Sequence, residues 1–253
     1  MKKVLALVLA LALAVCAVVA LAEEAKVLTH EEYINYVAPE TDEEVAPITI
    51  ETYVQAHQSW WDNKVSVYAQ SEDGAYFIYN MTCSEEDAAK LVPGAKIRVT
   101  GYKTEWQGEV EIQEGATFEF VEADPFVAEA EDLTEVLGTD DLINHQNEFF
   151  TAKGLTVAPS KIEGDDKEYA FLYGWDGSGT REDNGGVGAD LYFNVELNGN
   201  IYNFTVESYL CGADSDVYKT VEGLQVGDKI DVEGFLYWYN AANPHIVKVT
   251  KAE

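Results

Sequence analysis

From residue 48 onward, apolar and polar positions alternate with period two in short runs punctuated by Gly, Asn, Asp and Pro, the pattern of half-buried antiparallel strands. Ile48 to Ser59 reads as a long strand. Lys64 to Gln70 sets Val65, Val67 and Ala69 against Ser66, Tyr68 and Gln70, and Ser71-Glu-Asp-Gly74 turns the chain into a third strand from Ala75 to Thr82. Ser84-Glu-Glu-Asp87 then offers an N-cap hydroxyl and first-turn acids to a short helix ending at Leu91, which Pro93-Gly94 breaks. Lys96 to Tyr102 and Glu109 to Ile112 give two more strands, with Thr117 to Val121 continuing the last. The second half runs in the same order: strands at Phe149 to Ala158, Asp190 to Leu197 and Ile201 to Tyr209 about a turn at Asn198-Gly199, a helical turn near Asp214 to Glu222, then strands at Lys229 to Tyr237 and His245 to Val249.

This order is an internal repeat. Leu91-Val-Pro-Gly-Ala-Lys-Ile-Arg-Val-Thr-Gly-Tyr102 matches Leu224-Gln-Val-Gly-Asp-Lys-Ile-Asp-Val-Glu-Gly-Phe235 at Leu, Gly, Lys, Ile, Val and Gly. Upstream, Glu31-Glu32-Tyr33-Ile34-Asn35 echoes Asp140-Asp141-Leu142-Ile143-Asn144, each early in a predicted short helix whose acids suit its N-terminal dipole. Two units follow, at 28–124 and 148–253, joined by 125–147, which carries six acids and no Lys or Arg and reads as an acidic linker with a lead-in helix.

Three strands, a short helix and two strands is the layout of the oligonucleotide/oligosaccharide-binding (OB) fold, so the expected architecture is all-β: two tandem five-stranded Greek-key barrels. The repeated Leu-x-x-Gly-x-Lys-Ile-x-Val-x-Gly segment resembles the approach to the fourth strand in secreted bacterial proteins with tandem OB-fold domains. There Gly94 and Gly227 would make the turn, and Gly101 and Gly234 would relax the strand where a small barrel bends. The resemblance spans nearly all of residues 28 to 253, and it implies a binding platform without implying chemistry. A sandwich of seven or more strands is the rival, against which the repeated helix-before-glycine pattern speaks.

Residues 1–22 change the picture of compartment. Lys2 and Lys3, the apolar run from Val4 to Leu21 and the small-residue pattern at Ala20-Leu21-Ala22 read as a signal peptide cleaved after Ala22, which predicts secretion. Val15 precedes Cys16 where lipidation needs a small residue, and no later stretch is apolar for long enough to span a membrane. Cys83 and Cys211 remain, at corresponding places after a strand in each unit; an interdomain disulfide and two buried thiols are both open readings.

The net charge over the 253 residues is −30, and cleavage deepens it by removing two lysines and no acid. Unit one has five Lys or Arg against twenty acids and unit two eight against eighteen, so neither is a hidden basic domain. The electrostatic route to phosphate backbones is therefore missing, and a neutral or cationic ligand fits better.

OB folds bind on the face of strands two and three, flanked by the loops between strands one and two and between strands four and five. Trp60, Trp61, Trp106, Tyr237, Trp238 and Tyr239 fall in those loops, and Trp175 lies in an enlarged loop over 161–188 that follows the first strand of unit two. Half of these rings are expected to be core, since one ring of a neighbouring pair normally points inward. Exposed rings stack on sugars, bases or apolar side chains alike. The leading expectation is a secreted non-enzymatic protein recognising an oligosaccharide or an extracellular protein partner; the runner-up is single-stranded nucleic-acid binding.

No cofactor is expected. Asp176, Glu182, Asp183 and Asn184, or Asp214 with Asp216, are weak candidates for calcium, against a reading as solvated loop acids. His30, His57, His145 and His245 match no zinc spacing, and His57 and His245 read as barrel or rim residues. Neither a nucleophile elbow nor a phosphate loop occurs. An enzymatic reading would require a buried carboxylate pair, or a histidine with a shifted pKa, in a cleft.

Overall fold

A computed structural model describes residues 26–37, 46–174, 179–180 and 188–252, and the leader expected at 1–22 lies outside them. Unit one comprises β1 (Val27–Leu28), α1 (His30–Asn35), β2 (Ile48–His57), β3 (Lys64–Ser71), β4 (Gly74–Thr82), α2 (Glu85–Ala88), β5 (Lys96–Gly101), β6 (Lys103–Trp106), β7 (Glu109–Ile112) and β8 (Thr117–Phe120). The ladder runs β7-β4-β3-β2-β5-β8. β7 runs parallel to β4, while β8 is antiparallel to β5. These are two halves of one fifth strand bent at Gly115, and the bend closes the barrel. Val65, Val67, Ala69, Tyr76 and Ile78 face its core. α1 plugs that core with Tyr33, whose ring lies 5.0 Å from Tyr76, and a Thr29–Glu32 capping box starts the helix. At α2 the Ser84 hydroxyl accepts from the Asp87 N–H, as the sequence predicts.

Unit two comprises β9 (Glu131–Asp132), a 3-10 turn (Asp140–His145), β10 (Phe149–Ala158), β11 (Leu172–Tyr173), β12 (Leu191–Leu197), β13 (Asn200–Val206), α3 (Asp216–Glu222), β14 (Lys229–Phe235), β15 (Trp238–Tyr239), β16 (Ala241–Ala242) and β17 (His245–Lys251). Here β10-β12-β13-β17-β14 closes on β10, with β13 and β17 parallel. Both units therefore have the OB strand order, with the third strand parallel to the fifth and a short helix before the fourth. The Asn198-Gly199 hairpin forms with both residues at positive φ.

The repeated glycines have two jobs. Gly94 and Gly227 turn the chain at φ +89° and +94°. Gly101 and Gly234 are needed for close approach: a Cβ on Gly101 would lie 2.7 Å from Ala116 Cβ, and one on Gly234 would lie 2.4 Å from the His245 carbonyl oxygen. The fifth strand crosses the fourth at both points.

Three expectations are corrected. The third strand of unit two stops at Val206, because the Cys211 N–H turns back onto the Glu207 carbonyl and the Leu210 N–H onto the Glu207 carboxylate, which puts Tyr209 in a turn. Of the strand expected at Tyr169–Trp175 only β11 forms among the described residues. The lead-in helix of unit two is a 3-10 turn that buries only Leu142 and has no side-chain cap. Residues 125–147 lie against both barrels: the Ala128 N–H donates to Gln55 Oε1, and Leu133, Leu137 and Leu142 enter the core of barrel two.

The outward face of β3 and β4, where a lone OB barrel would hold ligand, is largely covered by barrel two. Tyr68 stacks on Phe235 at 4.7 Å, and its hydroxyl meets His245 Nδ1 at 2.6 Å. Phe77 packs edge-on to Tyr237 at 5.2 Å. The Phe149 N–H donates to Gln70 Oε1, the Trp238 N–H to Glu109 Oε2 and the Asn240 N–H to the Gln107 carbonyl. Rings of this size stabilise by about 1.5–3 kcal/mol each when fully buried, so the contact is a third core beside those of the barrels. It leaves open one end of the barrel-one face and, on barrel two, the part of the β12–β13 face around Tyr192 and Asn203, with Thr205 covered.

Candidate functional site

Three adjoining chambers lie along the junction of the barrels, the first and third lined from both and the second from barrel two alone. The first, of about 560 Å³, is lined by Tyr79 from β4, Trp106 from β6 and Glu111 from β7, with Glu114, Tyr237 and Tyr239. The second, of about 480 Å³, lies on the outward side of β12 and β13 against Tyr192, Asn203, Thr205 and Glu207, and Tyr237 and Tyr239 form its other wall. The third, of about 320 Å³, is lined by Trp61, Tyr209 and Asn80, and shares Tyr79 with the first and Glu207 with the second. The shared residues make these one cleft, whose walls contain aromatic rings, amides, hydroxyls and carboxylates but neither Lys nor Arg among the described residues. Lys64 stands beside it, 5.5 Å from the Trp61 ring, with its ammonium on Glu114 at 2.7 Å.

Period-two geometry aims these side chains. On β12, Leu191, Phe193 and Val195 enter the core and Tyr192 points out; on β13, Phe204 and Val206 enter and Asn203 and Thr205 point out. The hairpin of β6 and β7 carries Trp106, and the smaller hairpin of β15 and β16 carries Tyr239.

Burial pushes the Glu111 carboxyl up to about 7. Burial, with the charge of Asp190 behind it, does the same for Glu207. Near pH 7 each is partly protonated, so the carboxyl can either donate or accept a hydrogen bond. The hydrogen bonds from Lys64 and Asn80 hold Glu114 below its usual range. Behind the wall, fully enclosed Glu109 is pushed up to about 8 by burial. Burial holds His245 down at about 3, so its imidazole is neutral where it meets Tyr68.

Trp61 and Trp106 are each 57% exposed and Tyr239 is 45% exposed, all three on the cleft. Trp60 turns inward and donates from Nε1 to the Cys83 carbonyl at 2.9 Å, so its ring is packing. Tyr237 is half-buried and stacked on His245 at 4.2 Å, and it offers the cleft only part of its ring. Trp238 packs against the core of barrel two, which corrects its assignment as a ligand platform. Trp175, Asp176, Glu182, Asp183 and Asn184 lie outside the described residues. Asp216 sits in the first turn of α3, and the Asp214 carbonyl accepts from Lys219. Cys83 and Cys211 are free thiols, so the interdomain disulfide is not formed; burial raises both to about 11. Sequence reasoning missed Tyr79, Tyr209, Glu111 and Glu207. Their one signal was an aromatic or acid on the polar face of a strand, which ordinarily means solvent.

Neither a family model nor a curated protein matches the chain. Among solved structures, the p204 HINb domain aligns over 82% of this chain and 98% of its own at 9% identity and TM-score 0.36. A murine DNA-binding protein bound with double-stranded DNA covers 81% and 96% at 11% identity and TM-score 0.35. A replication protein A heterotrimer bound to single-stranded DNA covers 45% and 86% at 16% identity and TM-score 0.27. At these scores the fold assignment rests on the chain's own strand order and register.

Proposed function

We propose that the chain is an exported, non-enzymatic protein that binds an oligosaccharide along the cleft between its barrels, an uncharged or basic segment of an extracellular protein being the neighbouring possibility of the same chemistry. One observation carries the reading: the parts of the two barrel faces left open adjoin in one cleft walled by rings and carboxylates, with no Lys or Arg among the described residues of its walls. Exposed rings stack on the C–H faces of sugars, and carboxyls poised near neutrality exchange hydrogen bonds with hydroxyls. A polyanion would meet Glu111, Glu207 and Asp190 with no Lys or Arg among the described wall residues to offset them.

Single-stranded nucleic acid is the second reading. Its support is the exposed rings, which stack on bases, and the solved structures of similar fold, which are described as binding DNA and lend nothing to the oligosaccharide. A glycan array run beside labelled single-stranded DNA at two salt concentrations separates the two. Glycan binding insensitive to salt supports the proposal, and DNA binding that weakens steeply with salt overturns it. Replacing Trp106 or Tyr239 by Ala should weaken glycan binding about tenfold, the weight of one stacked ring, with the melting temperature unchanged. Turnover of the bound glycan, lost in Glu111→Gln, would make the protein an enzyme and overturn the non-enzymatic part.

A further inference from the structure

Away from the cleft, the 125–147 segment and the residue after it fold two carboxylates and an imidazole into one place. Glu131 comes from β9, which pairs in parallel with β10 so that Glu131 lies opposite Phe150. His145 closes the 3-10 turn, and the Glu148 N–H donates to the His145 carbonyl at 3.1 Å, which fixes the spacing of the two side chains. The result sets His145 Nδ1 2.7 Å from Glu148 Oε2 and 3.7 Å from Glu131 Oε2, with all three ligand atoms within 4.8 Å of one another. Ligands bound tetrahedrally at about 2.0–2.2 Å stand roughly 3.4 Å apart, so small rotations convert this cluster into a coordination shell.

We propose that Glu131, His145 and Glu148 form a site for a zinc-class divalent transition metal, bound through one imidazole nitrogen and two carboxylate oxygens, with the remaining position left to water. The mixed nitrogen and oxygen donor set favours zinc, cobalt or nickel over calcium or magnesium, which take oxygen alone. Charge points the same way. Two carboxylates face one imidazole, and among the described residues neither forms an ion pair with Lys or Arg. His145 and Glu148 flank Gln146 and Asn147, and Gln146 holds the turn and second strand of the hairpin that carries Trp106, accepting from the Val110 N–H and donating to the Gly108 carbonyl. A metal here would pin the segment between the barrels and stiffen one wall of the cleft.

The test is calorimetric titration of the chelator-stripped, full mature chain with zinc chloride at pH 7.5, with melting curves in parallel. One site per chain and a melting temperature raised by several degrees are expected. Both effects should be lost in His145→Ala and in Glu131→Gln; Glu131 is mostly exposed, so the latter variant keeps its fold if His145→Ala does not. Absence of a one-site isotherm in the wild-type chain, or one that persists in Glu131→Gln, overturns the proposal and leaves His145 as a hydrogen-bonding partner of Glu148 alone.

Discussion

At position 109 a carboxyl is enclosed on every side. Oε2 accepts the Trp238 N–H, while Oε1, together with Asn147 Oδ1 and the Tyr33 hydroxyl, has no partner. An ionised carboxylate in that setting would be an uncompensated buried charge, and burial lifts the group from 4.5 to about 8. The folded chain thus keeps a proton that the unfolded chain releases above pH 4.5. The stabilisation is complete below that pH and is lost as pH rises through about 8. Glu109→Gln keeps the shape and the acceptor while removing the ionisation. It should melt about 3–8 °C above wild type at pH 8.5, and the gap should close toward pH 5.5. Scanning calorimetry at the two pH values checks this; parallel curves would mean that Glu109 is ionised in the folded protein. His245 works in the opposite sense, since a base held at about 3 withdraws stability as pH falls from 6.5. The two effects cancel between about pH 4.5 and 6.5, so their joint contribution to stability should be greatest across that window and fall on either side of it.

In each barrel the decisive element is the crossing of the fourth and fifth strands. At Gly234 the obstacle to a side chain is backbone, the His245 carbonyl, whereas at Gly101 it is the Ala116 and Ile112 side chains, which can shift. Gly234→Ala should accordingly lose about 2–4 kcal/mol and Gly101→Ala about 1–2 kcal/mol in urea denaturation, and equal losses would show that both crossings relax alike. These glycines were legible because the repeat carries them, and so were the main strands, whose alternation runs over at least four residues. The hairpins of β6 and of β15 with β16 were not: Lys103-Thr-Glu-Trp106 and two-residue strands have no apolar face to read, and only the positive-φ turns at Gln107 and Asn240 mark them. For the site, the aromatic loops were legible and the carboxyls were not. Alternation at Glu109-Val-Glu-Ile112 assigns the acids to the outside of barrel one, and the outside of barrel one is partly the inside of the molecule.

That inversion sets the behaviour of the whole chain. Barrel two occupies much of the surface on which barrel one would otherwise hold a ligand, so the contact and the two chambers lined from both barrels do not exist in a single unit. The contact is built of Tyr68, Phe77, Phe149, Phe235 and Tyr237, with Glu109 and His245 holding their protonation states inside it. A boundary of this kind transmits unfolding, and a single calorimetric transition covering both barrels is expected even though each has its own core. Tyr68 is the residue to change, because it alone both stacks on Phe235 and bonds to His245. Tyr68→Phe keeps the stack and strands His245 Nδ1, at a loss of about 1–3 kcal/mol with one transition retained. Tyr68→Ala removes the ring from the centre, with a loss of about 3–5 kcal/mol, and should split the endotherm in two as the barrels melt independently. Ligand affinity should fall with the coupling, because Tyr79 and Trp106 reach the cleft from one barrel while Tyr192 and Tyr239 reach it from the other. Two transitions already in the wild-type chain would show that the barrels are joined more weakly than their shared rings require, and the cleft would then open and close with that joint.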